Sequence, residues 1–169
     1  MNCTLQLGDI MTLGSVYRID PDGVHVNRSI ESLLRGNRAV IFGGPAPFSR
    51  LDTEQAKQYA DLSKQILKHV NVIYGIYCQD AFVMKKFDEH VSQEHPDHGV
   101  TFYGDGDAFF IRNYNLQYDF TNQGLSVRSG RYAFIVNDTK IEHIVLDDYT
   151  QIGDSGADKI LAWLESNKR

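Results

Sequence analysis

Short apolar runs closed by glycine or proline alternate along this chain with stretches of helical periodicity, and that alternation limits the fold more than any other feature. Residues 38–42 form an apolar run that stops at Gly43, Gly44 and Pro45, and residues 71–77 form a second. Runs this short, bounded by chain breakers, suit buried strands. Between them Ala56, Tyr59, Ala60, Leu62, Ile66, Leu67 and Val70 recur at helical spacing and mark a buried face. Asp52 or Thr53 supplies an N-cap for that helix, with Gln55 placed for a capping box. Elsewhere the pattern predicts a short strand at 24–26, a short helix at 27–34 that stops near Gly36, and a helix with an acidic start at 80–87. A strand at 99–103, a short helix at 108–111, and a hairpin formed by 131–136 and 140–146 follow. Ile160, Leu161, Trp163 and Leu164 mark a closing helix. The order β-α-β-α-β-α-β-β-α predicts an α/β fold, with a central mixed sheet flanked by helices.

At 169 residues the chain suits one domain spanning 1–169. Hydrophobic residues make up 42% and charged residues 23%, which is ordinary for a globular chain and excludes a disordered one. A net charge of -5 leaves no electrostatic footprint for nucleic acid or an anionic membrane. No apolar stretch approaches the roughly 20 residues needed to span a bilayer, and the first residues show no basic-then-apolar leader. A cytoplasmic location is the expectation. The two cysteines, Cys3 and Cys78, do not make a disulfide framework. Cys78 closes an apolar run, where a free thiol is usually a half-buried structural group.

Three segments carry a resemblance to a known family. Residues 42–53 contain Pro45, Ser49 and Asp52, similar to the loop Pro-x-x-x-Thr/Ser-x-x-Cys. Residues 78–84 are similar to Val-Asn-Asp-Pro-Phe-Val-Met, and residues 124–132 to Gly-Leu-Gly-x-Arg-Ser-x-Arg-Tyr/Phe. Together they resemble the redoxin family, specifically its atypical peroxiredoxin-5 type, over residues 36–163. A hairpin after the last crossover, followed by a helix, is likewise the thioredoxin-like arrangement. The resemblance implies a thioredoxin-like fold, no cofactor and no metal. It also implies a reactive site at Pro45, Ser49, Asp52 and Arg128, in which the proline shapes the loop, the hydroxyl binds peroxide, and an arginine stabilises the reactive anion. At the position of the peroxide-attacking cysteine this chain has Asp52.

Thiol peroxidase chemistry needs a sulfur that gives two electrons to oxygen and becomes sulfenic acid, and a carboxylate has no such oxidation state. Aspartate is nonetheless well suited to a helix start and carries the charge of the thiolate it would replace. Arg128 and the helix dipole would favour that charge. Two readings of Asp52 stand side by side: a helix cap on a fold without the chemistry, or part of a small polar pocket with Ser49 and Arg128. The function expected is that of a binding or regulatory pseudoenzyme. The alternative is an active peroxidase working through Cys78, which precedes a helix start where a thiol can be acidified. It would draw on an external thiol such as glutathione, glutaredoxin or thioredoxin. Family members of this type also imply a homodimer that packs near the reactive loop.

Other features are weaker. His90, His95 and His98 sit among carboxylates but in a polar, proline-containing stretch that reads as a solvated loop rather than a zinc site. Phe82, Phe87, Phe109 and Phe110 read as core. Arg50 adds a cation that pairs with Asp52 or Glu54, or stays solvated. Residues 104–107 read as a turn rather than a calcium loop.

Overall fold

The computed structural model describes residues 1–168. β1 (Ser15–Ile19) and β2 (His25–Ser29) pair antiparallel, and Ser29 then caps α1 (Ile30–Leu34) by accepting from the Ser32 amide. The helix is shorter than the sequence pattern predicts because residues 27–29 extend the strand. Gly36 ends it in a left-handed conformation (φ +75°) that suits glycine.

The apolar run at 38–42 becomes β3 (Arg38–Gly43), buried at every residue, and leads into the long α2 (Arg50–Ile66). β4 (Val72–Tyr77), α3 (Ala81–Ser92, capped by Asp80), β5 (Val100–Gly104) and α4 (Phe109–Asn113) follow. β6 (Gln117–Phe120) and β7 (Ser126–Ser129) form a separate small hairpin. β8 (Arg131–Asn137) and β9 (Lys140–Asp147) make the expected hairpin. Its tip residues Asp138 and Thr139 both have positive φ, as a two-residue turn matched to strand twist requires. α5 (Ala157–Ser166) closes the chain.

The main sheet has seven strands in the order β2-β1-β5-β4-β3-β8-β9. β3, β4 and β5 run parallel at its centre, and every other pairing is antiparallel, so the sheet is mixed as the sequence predicts. One face packs Phe42, Tyr77 and Val40 against Tyr59 of α2, Phe87 of α3 and Leu164 of α5. The other packs Ile41, Ile76 and Phe134 against Leu34 of α1 and Phe110 of α4. Phe42 and Tyr59 stack at 3.8 Å, which ties the centre of the sheet to the middle of α2. This positions the start of α2 directly beyond the carboxyl end of β3, where parallel-sheet folds place their sites.

The aromatic residues divide differently from the sequence expectation. Phe87 and Phe110 are fully buried, but Phe82 is 66% exposed and Phe109 is 55% exposed. Each exposed ring sits near the start of its helix, and that of Phe82 lies 5.9 Å from His25 on the edge strand β2.

Candidate functional site

Ser49, not Asp52 or Thr53, caps α2; its hydroxyl oxygen accepts from the Asp52 amide at 3.3 Å. Asp52 therefore lies inside the first turn and turns its carboxylate back toward the incoming loop. Its Oδ2 accepts from the Ala46 amide at 2.9 Å and from the Ser49 hydroxyl at 3.1 Å. Its Oδ1 accepts from Arg131 Nη1 at 2.8 Å. Both side chains of this ion pair are inaccessible, at 0% for Asp52 and 1% for Arg131. Gln55, expected in a capping box, instead accepts from Arg131 Nη1 at 2.6 Å and donates to the Ser155 carbonyl and hydroxyl. Arg131 Nη2 reaches the Tyr149 carbonyl at 3.3 Å.

The close approach at the head of α2 depends on Gly44. A Cβ there would lie 1.9 Å from Asp52 Oδ1 and 2.8 Å from Arg131 Nη1. Phe48, in the same loop, holds a left-handed φ of +71°, which is strained for a bulky residue. Its ring meets Phe87 edge-on at 5.2 Å and lies 5.7 Å from His90.

The arginine expected to face Asp52 does something else. Arg128 donates from Nη1 to the Pro45 carbonyl and from Nε to the Leu125 carbonyl, each at 3.0 Å. With the Gln79 amide oxygen turned toward it, that oxygen accepts from Nη1 and Nη2 at 3.2 and 3.0 Å. Arg128 thus ties the Pro45 loop, the α3 entry and the Leu125 loop together, while Arg131 meets the carboxylate. Arg131 opens β8, just beyond Ser129, whose hydroxyl donates to the Gly44 carbonyl at 3.1 Å. Sequence similarity brought both arginines into view, and only the strand start separates their roles.

Cys78 lies at the carboxyl end of β4, half-buried, with its thiol donating to the Val127 carbonyl at 3.4 Å. Burial, assisted by the nearby Asp105 carboxylate, pushes the thiol up to about 11 despite the opposing Arg128 and Arg112. A thiol in that range is almost wholly protonated at neutral pH. Burial also raises the Cys3 thiol.

Asp105 in the expected turn is buried and accepts from the Phe110 and Ile111 amides, each at 3.0 Å, which anchors α4. Desolvation outweighs those bonds and raises its carboxyl to about 6. His98 departs from the solvated-loop expectation: Nδ1 accepts from the Val100 amide, so Nε2 carries the proton toward Asp88 at 2.7 Å. Arg50 pairs with Glu54 on the surface at 3.1 Å, not with Asp52.

Beside the ion pair lies a concavity of about 270 Å³ lined by Pro45, the first residues of α2, Phe120, Leu125, Arg131 and Tyr149. Among the described residues, Arg131 Nε, Tyr77 OH and Gln117 Oε1 are buried without a hydrogen-bond partner.

No family model matches the chain. Peroxiredoxin-2B of Arabidopsis thaliana is 26% identical over 160 residues, covering 93% of this chain and 96% of that protein. Peroxiredoxin-2C of Oryza sativa subsp. japonica is 27% identical over 158 residues, covering 92% and 95%. Among solved structures, reduced Prx3 from Vibrio vulnificus in complex with H2O2 superposes with a TM-score of 0.87 at 27% identity, over 95% of this chain and 99% of that one. Over nearly the full length of each, this chain is similar to the peroxiredoxins in sequence and shares their thioredoxin-like fold.

Proposed function

We propose that this peroxiredoxin-like chain is a pseudoenzyme, in which Asp52 occupies the place of the peroxide-attacking cysteine and the protein acts by binding or regulation. The observation that carries the reading is the saturation of Asp52. Both of its oxygens are engaged by Arg131, Ala46 and Ser49, and none of its surface is exposed. A carboxylate so held lacks the electron-pair chemistry by which a thiolate attacks peroxide. Pro45, Ser49 and Arg128 remain as the frame of the former reactive loop, with Arg131 as the cation that faces its centre.

The direct test is thiol-dependent peroxide consumption, with glutathione plus glutaredoxin and with thioredoxin as reductants. The wild-type protein should show no turnover above the reductant background; robust turnover would remove the reading. Asp52→Cys should restore a thiol in the first turn of α2 beside Arg131, detectable as peroxide-dependent sulfenic acid labelling.

A second reading has Cys78 as the reactive thiol of an active peroxidase. Its support is the position of Cys78 at the carboxyl edge of the sheet, near Arg128 and Arg112, which both favour the thiolate. Against it stands the net upward shift of that thiol. Activity lost in Cys78→Ser and kept in Asp52→Asn would select this reading.

A further inference from the structure

β9 is one of the two edge strands of the main sheet. The other, β2, reads His-Val-Asn-Arg-Ser and exposes polar side chains, which discourages pairing with another chain. Residues 143–147 of β9 read His-Ile-Val-Leu-Asp, with neither lysine nor proline to blunt the edge. The start of that edge is already taken. The Ile141 amide donates to the Asp9 carbonyl, the Gly8 amide donates to the Ile141 carbonyl, and Ile10 bridges Lys140 in the antiparallel sense. At Gly8 (φ +88°) the chain turns away, and Thr4 upstream donates to the Tyr114 carbonyl instead. Among the described residues, no backbone hydrogen bond from outside the sheet reaches residues 143–147.

Two concavities, of about 630 and 450 Å³, lie along this strand; β9 and α5 supply most of their walls, and Trp163 and Asn167 belong to both. In the larger one His143 stacks on Trp163 at 4.6 Å. Lys140 and Lys168 line the smaller one and enter no ion pair among the described residues. The Glu142 carboxylate in the same lining is held by Arg38 Nε and Nη2 at 3.2 and 3.3 Å. A strand added antiparallel from the Asp147 end runs toward Ile141 and finds the edge closed there by Gly8 and Asp9. A chain that ends at that point presents its carboxylate to the two lysines, which supplies the anion their charge calls for.

We infer that the groove between β9 and α5 binds the carboxyl-terminal segment of another protein as an added antiparallel strand along residues 143–147. An apolar or aromatic side chain of that segment lies against His143 and Trp163, and its terminal carboxylate meets Lys140 and Lys168. Backbone pairing supplies the affinity, and the side-chain groove and the two cations supply the selection. The inference goes beyond the reading above and shares no residue with the site around Asp52.

The probe is the peptide acetyl-Thr-Ser-Phe-Thr-Leu, as the free acid and as its C-terminal amide, added to the full chain in a ¹H–¹⁵N NMR titration. The free acid should shift the amides of residues 143–147 and the Trp163 indole N–H together, saturating at millimolar concentration. The amide should bind at least about five-fold more weakly, and so should the free acid to Lys140→Glu with Lys168→Glu, two exposed positions. Ala162→Trp, which fills the groove from an exposed position on α5, should abolish the response while leaving the rest of the spectrum in place. Absence of a saturable shift, shifts outside the groove only, or equal binding of acid and amide overturns the inference. Protection of the outward amides of residues 143–147 from hydrogen exchange without peptide would show that a second copy already holds the edge, which overturns it as well.

Discussion

Arg131 and Asp52, 79 residues apart in sequence, form an ion pair at 2.8 Å in which neither side chain touches solvent. The pair joins the first residue of β8 to the first turn of α2, and through Gln55 it extends to Ser155 ahead of α5. Three distant segments are held by one buried polar network, so its members cannot be exchanged independently.

Asp52→Ala should destabilise the protein by about 3–5 kcal/mol, because Arg131 would be left charged and buried without its partner. The double variant Asp52→Leu with Arg131→Met should be less destabilised than the sum of the two single changes, since it removes the stranded charge. Urea unfolding of the four proteins measures the coupling. Additive losses would mean that the pair contributes no more than its separate packing.

Gly44→Ala is a test of close approach. The added methyl would overlap Asp52 Oδ1 at 1.9 Å, and the carboxylate is held in place by Ala46, Ser49 and Arg131. A loss of at least about 2 kcal/mol is expected, within the range for overpacked interiors. Gly106→Ala is the comparison, since its nearest neighbour would lie at 3.5 Å. Equal thermal unfolding midpoints for the two variants would contradict the geometry.

Asp105 predicts a pH dependence with a definite sign. Its carboxyl is raised to about 6 in the folded protein, above its ordinary value near 4. The folded state then binds more protons than the unfolded state between those limits. Stability is fully present below about pH 4 and falls as pH rises through about 6, by up to roughly 3 kcal/mol from this group. Other carboxyls titrate over the same range, so the measurement is the difference between wild type and Asp105→Asn in urea unfolding at pH 4 to 7. That difference should slope with pH, and a flat difference would assign Asp105 an ordinary titration.

Phe82 on α3 is 66% exposed, and Phe48, which abuts the same helix at Phe87, is 49% exposed. Exposed aromatic rings on α3 and on the α2 entry loop suit a protein contact. A second copy of the chain is the proposed occupant. Phe82→Asp should lower the sedimentation-equilibrium mass toward 19.2 kDa without altering the circular dichroism spectrum. A wild-type protein that is already monomeric at high micromolar concentration would exclude the contact.

Much of this molecule could be read from local pattern. The strands at 38–42 and 71–77, the helix between them, the 131–146 hairpin and the closing helix each announce themselves through apolar spacing and chain breakers. β1 and the β6–β7 hairpin are less legible: β7, for example, carries Val127 as its one apolar residue and so shows no apolar alternation. Phe82 and Phe109 mislead because aromatic spacing says which residues share a helix face, not whether a neighbour covers it.

The layered α/β order, the family resemblance and the carboxylate at the head of α2 are all legible along the chain, because each is written in neighbouring residues. Which arginine answers that carboxylate is settled by the assembled fold. Arg128 and Arg131 are three positions apart and chemically alike, but Ser129 and Gly130 turn the chain between two different sheets. That turn sends Arg128 to backbone carbonyls and Arg131 into the buried centre, since a long-range charge pair is set by where strands end in space rather than by spacing along the chain.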